Sequence, residues 1–348
     1  MIIIARCVHG LEWVCADEIE STVPAARDIT LARREVTFTV SEESRLLALR
    51  TVDDVFVRVG ELGDVGSTKD ALPTLAKRLA ALDWPGADGR RFDVVASLEG
   101  RRSYNRYAVE AAAGAALAAV LGGTFLDRAA AGDSELTVRL FLRGTTAVAA
   151  LRLAARPLHR RPYKQDTGPG TLHPPVAAAL ARIGAPAAGE VVLDPFCGDG
   201  TVAIEAALGY PHARVVATDL DPARLANARA NAARAGVPVE FAVADAGRDP
   251  RRADLVLANP PWNVAVEATG TLAGSLDRFW RKVPTRLCAV TTDPPAGLAT
   301  TLRTRIRLAG RIAELILVGG APPAGLAAWR DRALAAGVVL APQTSDGC

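Results

Sequence analysis

Asn259-Pro260-Pro261-Trp262 follows directly on the apolar run Ala253–Ala258. A side-chain amide, two rigid prolines and a flat indole at a strand end suit a planar ring that carries an amino group. The Asn259 oxygen and the Pro260 carbonyl can accept the amino hydrogens, hold the nitrogen pyramidal and stabilise positive charge as it develops. Trp262 can stack on the ring and offset the cost of flipping a base from its stack. The chemistry implied is transfer of a methyl group to a poorly nucleophilic nitrogen, with Asn259, Pro260, Pro261 and Trp262 as its catalytic residues. Taken alone, the same four residues also read as a loop break and a core tryptophan.

Upstream, Asp194-Pro195-Phe196-Cys197-Gly198-Asp199-Gly200-Thr201 is a strand-to-helix turn whose glycines let backbone approach a ligand. Asp194 and Asp199 place two carboxylates in it, which repel phosphate and favour a cationic ligand such as S-adenosylmethionine. Asp219 in Ala217-Thr218-Asp219-Leu220-Asp221 is placed to accept ribose hydroxyls, with Asp221 as a helix cap. Asp245 in Val243-Ala244-Asp245-Ala246 is placed to meet an adenine amino group. Any one of these aspartates has a structural alternative, but three at successive strand ends converge on one ligand crevice.

The elements that must position these groups are legible as alternating patterns in the C-terminal half. Strands are expected at Val191–Pro195, Arg214–Leu220, Val237–Ala244, Asp254–Ala258 and Leu287–Thr292, with helices at Thr201–Leu208 and Pro222–Ala235. Ile306–Ile312 and Glu314–Val318 lie too close for a helical crossover and read as an antiparallel hairpin. The fold class is α/β, a Rossmann-like parallel sheet with an antiparallel C-terminal hairpin. The N-terminal half reads as α+β. Its strands are Ile2–Val8, Val36–Val40 and Phe92–Ser97, and its helices Gly10–Ser21, Glu42–Arg50, Thr68–Ala81 and Arg102–Val120. Leu136–Leu142 and Ala147–Leu153 form a hairpin, and Arg156–Gly170, rich in Pro, Gly and basic residues, is the natural linker.

At 348 residues there is room for two or three domains, and 50% hydrophobic with 23% charged residues is ordinary for a soluble globular chain. No apolar run reaches the ~20 residues that span a bilayer, and Met1–Gly10 lacks the apolar core of a signal peptide. Cys7, Cys15, Cys197, Cys288 and Cys348 show no metal-site or disulfide spacing, so free thiols in a reducing cytoplasm are expected and no metal. A net charge of +3 says little, but arginine clusters in the first half and at its exit suit a phosphate backbone. Tyr104 and Tyr107 lie among those arginines and can stack on RNA or pack in a core, whereas His159 and His173 read as structural.

These motifs resemble those of class I S-adenosylmethionine-dependent methyltransferases. Gly10-Leu11-Glu12 with Ala16-Asp17-Glu18-Ile19-Glu20 resembles the opening of the THUMP-containing RNA guanine-N2 methyltransferases. Arg101-Arg102-Ser103-Tyr104-Asn105-Arg106-Tyr107 is similar to their THUMP helix entrance, and Leu158-His159-Arg160-Arg161-Pro162-Tyr163-Lys164 to their interdomain segment. Leu172-His173-Pro174-Pro175-Val176-Ala177-Ala178-Ala179-Leu180 is similar to the helix that closes over the methionine moiety. Two departures stand out: Trp262 and Asn263 occupy places where the family has Tyr or Phe and then Gly, and Pro162 replaces a Gly.

The resemblance covers nearly the whole chain up to about Val318. It implies a ferredoxin-like segment at 1–64, a THUMP module at 65–155, a basic linker at 156–170 and a methyltransferase domain at 171–320. The tail at 321–348 lies outside the resemblance, and Gly325–Ala336 within it reads as a short surface helix. It implies cofactor contacts at Asp194, Phe196, Cys197, Gly198, Gly200 and Thr201, and at Asp219, Leu220, Asp245, Ala246, Asn259 and His173. It implies RNA contacts at Arg101, Arg102, Tyr104, Arg106, Arg160, Arg161 and Lys164. The expected activity is methylation of guanine N2 in tRNA. Methylation of ribosomal RNA or of adenine N6, or an RNA-binding protein with a vestigial catalytic domain, stays open.

Overall fold

From Val191 onward, short runs of branched apolar residues alternate with alanine-rich ones, and each settles as a strand or a helix of one layered structure. The computed structural model describes all residues except 42–44, 128, 250, 263–269, 283–285 and 341–348. In chain order the first elements are β1 (Ile2–Arg6), α1 (Glu12–Thr22), β2 (Arg27–Ala32), β3 (Glu35–Thr39), β4 (Asp54–Asp64), α2 (Leu72–Ala80), β5 (Arg91–Glu99), α3 (Arg106–Leu121), β6 (Thr124–Phe125), β7 (Leu136–Arg143) and β8 (Thr146–Arg152). Next come α4 (Pro174–Gly184), β9 (Val191–Asp194), α5 (Thr201–Gly209), β10 (Arg214–Asp219), α6 (Pro222–Ala235), β11 (Val239–Val243) and β12 (Leu255–Ala258). The last are α7 (Gly270–Arg281), β13 (Leu287–Thr291), β14 (Leu302–Leu308), β15 (Arg311–Val318) and α8 (Ala324–Ala335).

Two compact units result. The first comprises Met1–Ala5, Thr37–Leu47 and Asp54–Pro157; the second comprises Arg6–Val36, Ala48–Asp53 and the chain from Leu158 onward. In the first unit the strands run in the order β3-β1-β4-β8-β7-β5-β6. Its core includes Leu75, Leu79, Phe92, Val109, Leu117 and Leu140. Asn105 caps α3 by accepting the Ala108 amide at 3.1 Å. Strands β2, β4 and β6 lie outside the sequence expectations. Gly60 and Gly63 interrupt β4, and its pairing with β8 slips twice, so the period-2 pattern is broken. A helix across Glu42–Arg50 does not appear in the described part of that stretch, where Leu46–Ala48 makes one tight 3₁₀ turn; residues 42–44 lie outside the described residues.

The second unit carries a sheet in the order β11-β10-β9-β12-β13-β15-β14. Neighbours from β11 to β13 are parallel, and β15 is antiparallel to both β13 and β14. The chain leaves β9 towards β10 and β11, then returns to place β12 on the other side of β9. That reversal opens a crevice beyond the C-terminal ends of β9 and β12, where such sheets bind ligands. The β14–β15 turn lies at Ala309-Gly310, both at positive φ, rather than near Ala313. A two-residue turn of this hand matches the twist of the strands, and an alanine in it gives a weak sequence signal. The expected tail helix is α8, but it buries Leu326, Trp329 and Ala333, and the Trp329 indole donates to Glu20 at 2.8 Å. Among the described residues no helix is long and apolar enough to cross a membrane.

Candidate active site

The turn after β9 holds Gly198 at φ 50° and Gly200 at φ 84°, left-handed backbone that favours glycine. A Cβ on Gly200 would stand 3.0 Å from the Ala228 Cβ of α6, so bare backbone there sets how closely helix and turn pack. Asp219, at the end of β10, fastens the turn by accepting the Gly198 amide at 2.8 Å and the Asp221 amide at 3.0 Å. Asp221 then caps α6, accepting the Ala223 amide at 2.8 Å. The adjacent strand ends and the turn are thereby one rigid piece.

The two carboxylates of the turn have different fates. Asp194 is buried and its Oδ2 makes no hydrogen bond. Burial above all pushes its carboxyl up to about 8, with the Asp219 charge adding to the effect against the Phe196 amide. The side chain of Asp199 faces segment 168–171 and α6. It accepts the Gly168 amide at 2.7 Å and the Thr171 hydroxyl at 2.5 Å, takes the Asn227 amide at 3.2 Å, and pairs with Arg224 at 2.9 Å. Burial opposes its ionisation, yet these donors hold it below the ordinary carboxylate range. Arg224 neutralises its charge, so Asp199 adds nothing to the attraction for a cation.

A cavity of about 870 Å³ opens at the strand ends. His173, Phe196, Cys197, Gly198, Thr201, Asp219, Leu220 and Ala246 line it together with Asn259, Pro260, Pro261 and Trp262. Asp194 and Gly200 lie behind this lining. So does Asp245, whose Oδ1 accepts the Ser275 hydroxyl at 2.5 Å and the Gly247 amide at 2.9 Å while its Oδ2 takes Arg278 at 2.6 Å. Burial would raise this carboxyl, but those donors outweigh it and hold it low. Ser275 and Leu272 of α7 line the cavity in its neighbourhood.

Asn259 donates through Nδ2 to the Gly170 carbonyl at 3.4 Å, and its Oδ1 is buried without a hydrogen-bond partner. Such a group carries an unmet hydrogen-bonding capacity. The Trp262 indole donates to the Val290 carbonyl of β13 at 3.3 Å, which fixes the ring. His173 Nε2 lies 2.6 Å from Asp53 Oδ1 on the cavity wall, and the His159 ring sits 5.2 Å from that of His173.

The residues expected to meet RNA divide by exposure. Arg101, Arg106 and Arg160 are exposed, and Arg106 stacks on exposed Tyr107 at 4.9 Å. Arg102 donates to the Gly66 carbonyl at 2.9 Å, to the Tyr104 hydroxyl and to the Gly144 carbonyl, and Tyr104 is itself buried. Arg161 is buried against Glu205 at 2.9 Å, with Arg50 and Tyr163 sharing that carboxylate. Lys164 donates to the Leu172 carbonyl at 2.6 Å, and burial brings its ammonium down to about 8. Sequence reasoning missed Asp53, Arg224, Thr171 and Ser275, because single polar residues far apart in the chain carry no local signature.

Residues 161–293 match the RMKL-like methyltransferase domain. Over 253 residues the chain is 36% identical to the tRNA (guanine(6)-N2)-methyltransferase of Thermus thermophilus, a match spanning 70% of this chain and 72% of that protein. The chain belongs to this family of methyltransferases. A further relative, the tRNA (guanine(10)-N2)-dimethyltransferase of Methanothermobacter thermautotrophicus, is 32% identical over 127 residues, 36% of either protein. The crystal structure of TrmN from Thermus thermophilus superimposes with a TM-score of 0.75 at 29% identity, covering 91% of this chain and 98% of that one.

The methyltransferase uses S-adenosylmethionine as its methyl donor, and the residues present fit it. The glycine turn leaves backbone open to the cavity, Asp219 brings a carboxylate to its wall, and Asp194 beneath the turn keeps one oxygen unpartnered. The cofactor supplies an electrophilic methyl group on a sulfonium.

Proposed function

We propose that this methyltransferase modifies the exocyclic N2 of a guanosine in tRNA. The observation that carries the reading is the placement of Asn259-Pro260-Pro261-Trp262 in the same cavity as the glycine turn, on the adjoining strand ends of β9 and β12. The kinship with tRNA guanine-N2 enzymes narrows the acceptor. Asn259 Oδ1 and the Pro260 carbonyl accept the amino hydrogens, which withholds the nitrogen lone pair from the ring and favours its attack on the methyl group. Trp262 stacks on the extruded base. The methylated nitrogen is acidic while it is cationic and sheds its extra proton to solvent, so no strong base is required. Asp219 holds the ribose of the donor, and Asp194 lies beneath the glycine turn that receives it.

On this reading residues 65–155 act as a THUMP-like module that holds the RNA in the cytoplasm, with Arg101 and Arg106 as its exposed cations and Arg160 as a further one beyond it. Nucleoside mass spectrometry of tRNA from a deletion strain, compared with its parent, tests the proposal. N2-methylguanosine is expected to fall in the deletion strain and to return with the intact gene. The Asn259→Ala gene is expected not to restore it, while the variant protein still binds S-adenosylmethionine in calorimetry. An unchanged N2-methylguanosine level in the deletion strain would overturn the substrate, and restoration by Asn259→Ala would overturn the mechanism.

A further inference from the structure

Two hairpin tips at the mouth of the cavity carry arginines that no function so far employs. The β2–β3 tip is Arg33-Arg34, with Arg34 at φ 61°, and the β14–β15 tip is flanked by Arg307 and Arg311. Arg34, Arg307 and Arg311 line the same cavity as Asn259 and Trp262. Arg33 and Arg307 line a second depression that shares Arg307 with it, so the basic strip continues outward from the cavity. All four are exposed, and none has an ion pair or side-chain hydrogen bond among the described residues. That separates them from Arg102, Arg161, Arg224 and Arg278, each committed to an internal partner.

The tips are held in place. Both dock on the segment from Val8 to Glu12. Buried Glu12 accepts the Arg34 amide at 2.7 Å and the Gly10 amide at 2.7 Å, which fixes the first tip. The Arg307 amide donates to the His9 carbonyl at 2.9 Å, which fixes the second. Gly10 lacks the Cβ that would stand 2.2 Å from the Arg305 carbonyl, so the two backbones can come this close. A pair of preset tips bearing four exposed guanidinium groups is suited to the anions beside a base inserted into the cavity.

We propose that Arg33, Arg34, Arg307 and Arg311 bind the backbone phosphates flanking the flipped nucleotide, so that RNA is gripped at the mouth of the catalytic unit as well as elsewhere on the chain. The inference rests on the reading that the substrate is RNA. Guanidinium forks bind phosphate through paired hydrogen bonds, and each phosphate neutralised releases counterions, so affinity falls with salt in proportion to the contacts made.

The test uses the full-length chain and bulk tRNA purified from a deletion strain, with affinity measured across a series of salt concentrations. The variant Arg34→Gln/Arg307→Gln/Arg311→Gln is expected to lose at least tenfold in affinity at low salt. Its log–log salt slope should flatten by roughly two to three, at about 0.7–0.9 for each phosphate contact removed. The KM for tRNA should rise more than kcat falls, and the corresponding lysine variant should recover most of the salt slope, since lysine keeps the charge. Calorimetry with S-adenosylmethionine establishes that each variant is folded. Should the triple variant misfold, Arg311→Gln alone, at an exposed hairpin tip, should still flatten the slope by about one. Wild-type protein that binds tRNA with an affinity and slope the variants fully retain would overturn the inference and leave the RNA reading standing. Wild-type protein with no measurable affinity for tRNA would sink both.

Discussion

Asp194 shows how a single buried carboxyl can carry a pH signature. Its ordinary value is 3.8, and in the folded chain burial moves it to about 8. The native state therefore keeps a proton that the unfolded chain releases, and Asp194 supports folding fully only below the unfolded value. That support is lost as the pH rises from about 4 through 8, with a slope of at most about 1.4 kcal/mol per pH unit. Urea titrations of wild type and Asp194→Asn across this window should show the wild type losing stability relative to the variant as pH rises. Parallel curves would mean that Asp194 stays ionised in the folded protein. Asp194 and Asp219 were both visible in the sequence as strand-end acids, because chain direction alone brings them to the crevice. That Asp199 and Asp245 turn to Arg224 and Arg278 was not visible, since those partners lie 25 and 33 residues away.

Among the elements, the approach of Val8–Glu12 to β14 depends on one missing side chain. Gly10 stands at φ 99° with the Arg305 carbonyl where its Cβ would be. Gly10→Ala combines left-handed strain with a backbone clash and should lower stability by about 2 kcal/mol or more, read from the shift in denaturation midpoint. A loss below about 0.5 kcal/mol would mean that the two backbones separate at little cost. The motif Gly10-Leu11-Glu12 was legible as a resemblance, but its purpose was not. Glu12 caps a hairpin tip 22 residues away, and Glu18 likewise accepts the Arg50 and Thr51 amides at 2.9 and 2.8 Å. Strands β9, β10, β12 and β13 were legible because buried parallel strands are short and apolar. Strands β2 and β4 were not, because half-exposed or glycine-interrupted strands lose that pattern.

At the scale of the whole chain, the second unit is discontinuous in sequence. Arg6–Val36 and Ala48–Asp53 belong with the chain from Leu158 onward, and Asp53 reaches the cavity wall beside His173. A fragment that begins at Leu158 lacks these segments, along with Arg50, the partner of Glu205. Such a fragment should bind S-adenosylmethionine at least tenfold more weakly than the full chain, or not fold. Hydrogen exchange on the full chain should show cofactor protecting Val8–Glu12 and Ala48–Asp53 together with the β9 turn. Full affinity in the fragment would mean that the glycine turn and strand ends suffice. By itself the sequence determined the parallel sheet, the glycine turn after β9 and the amide-proline-indole group after β12, because these depend on residue types within a few positions of one another. Only the tertiary structure decided which acids keep a free oxygen, which arginines stay unpaired, and which distant segments finish the cavity. Those outcomes are settled by hydrogen bonds and close approaches between residues far apart in the chain, and no local pattern encodes them.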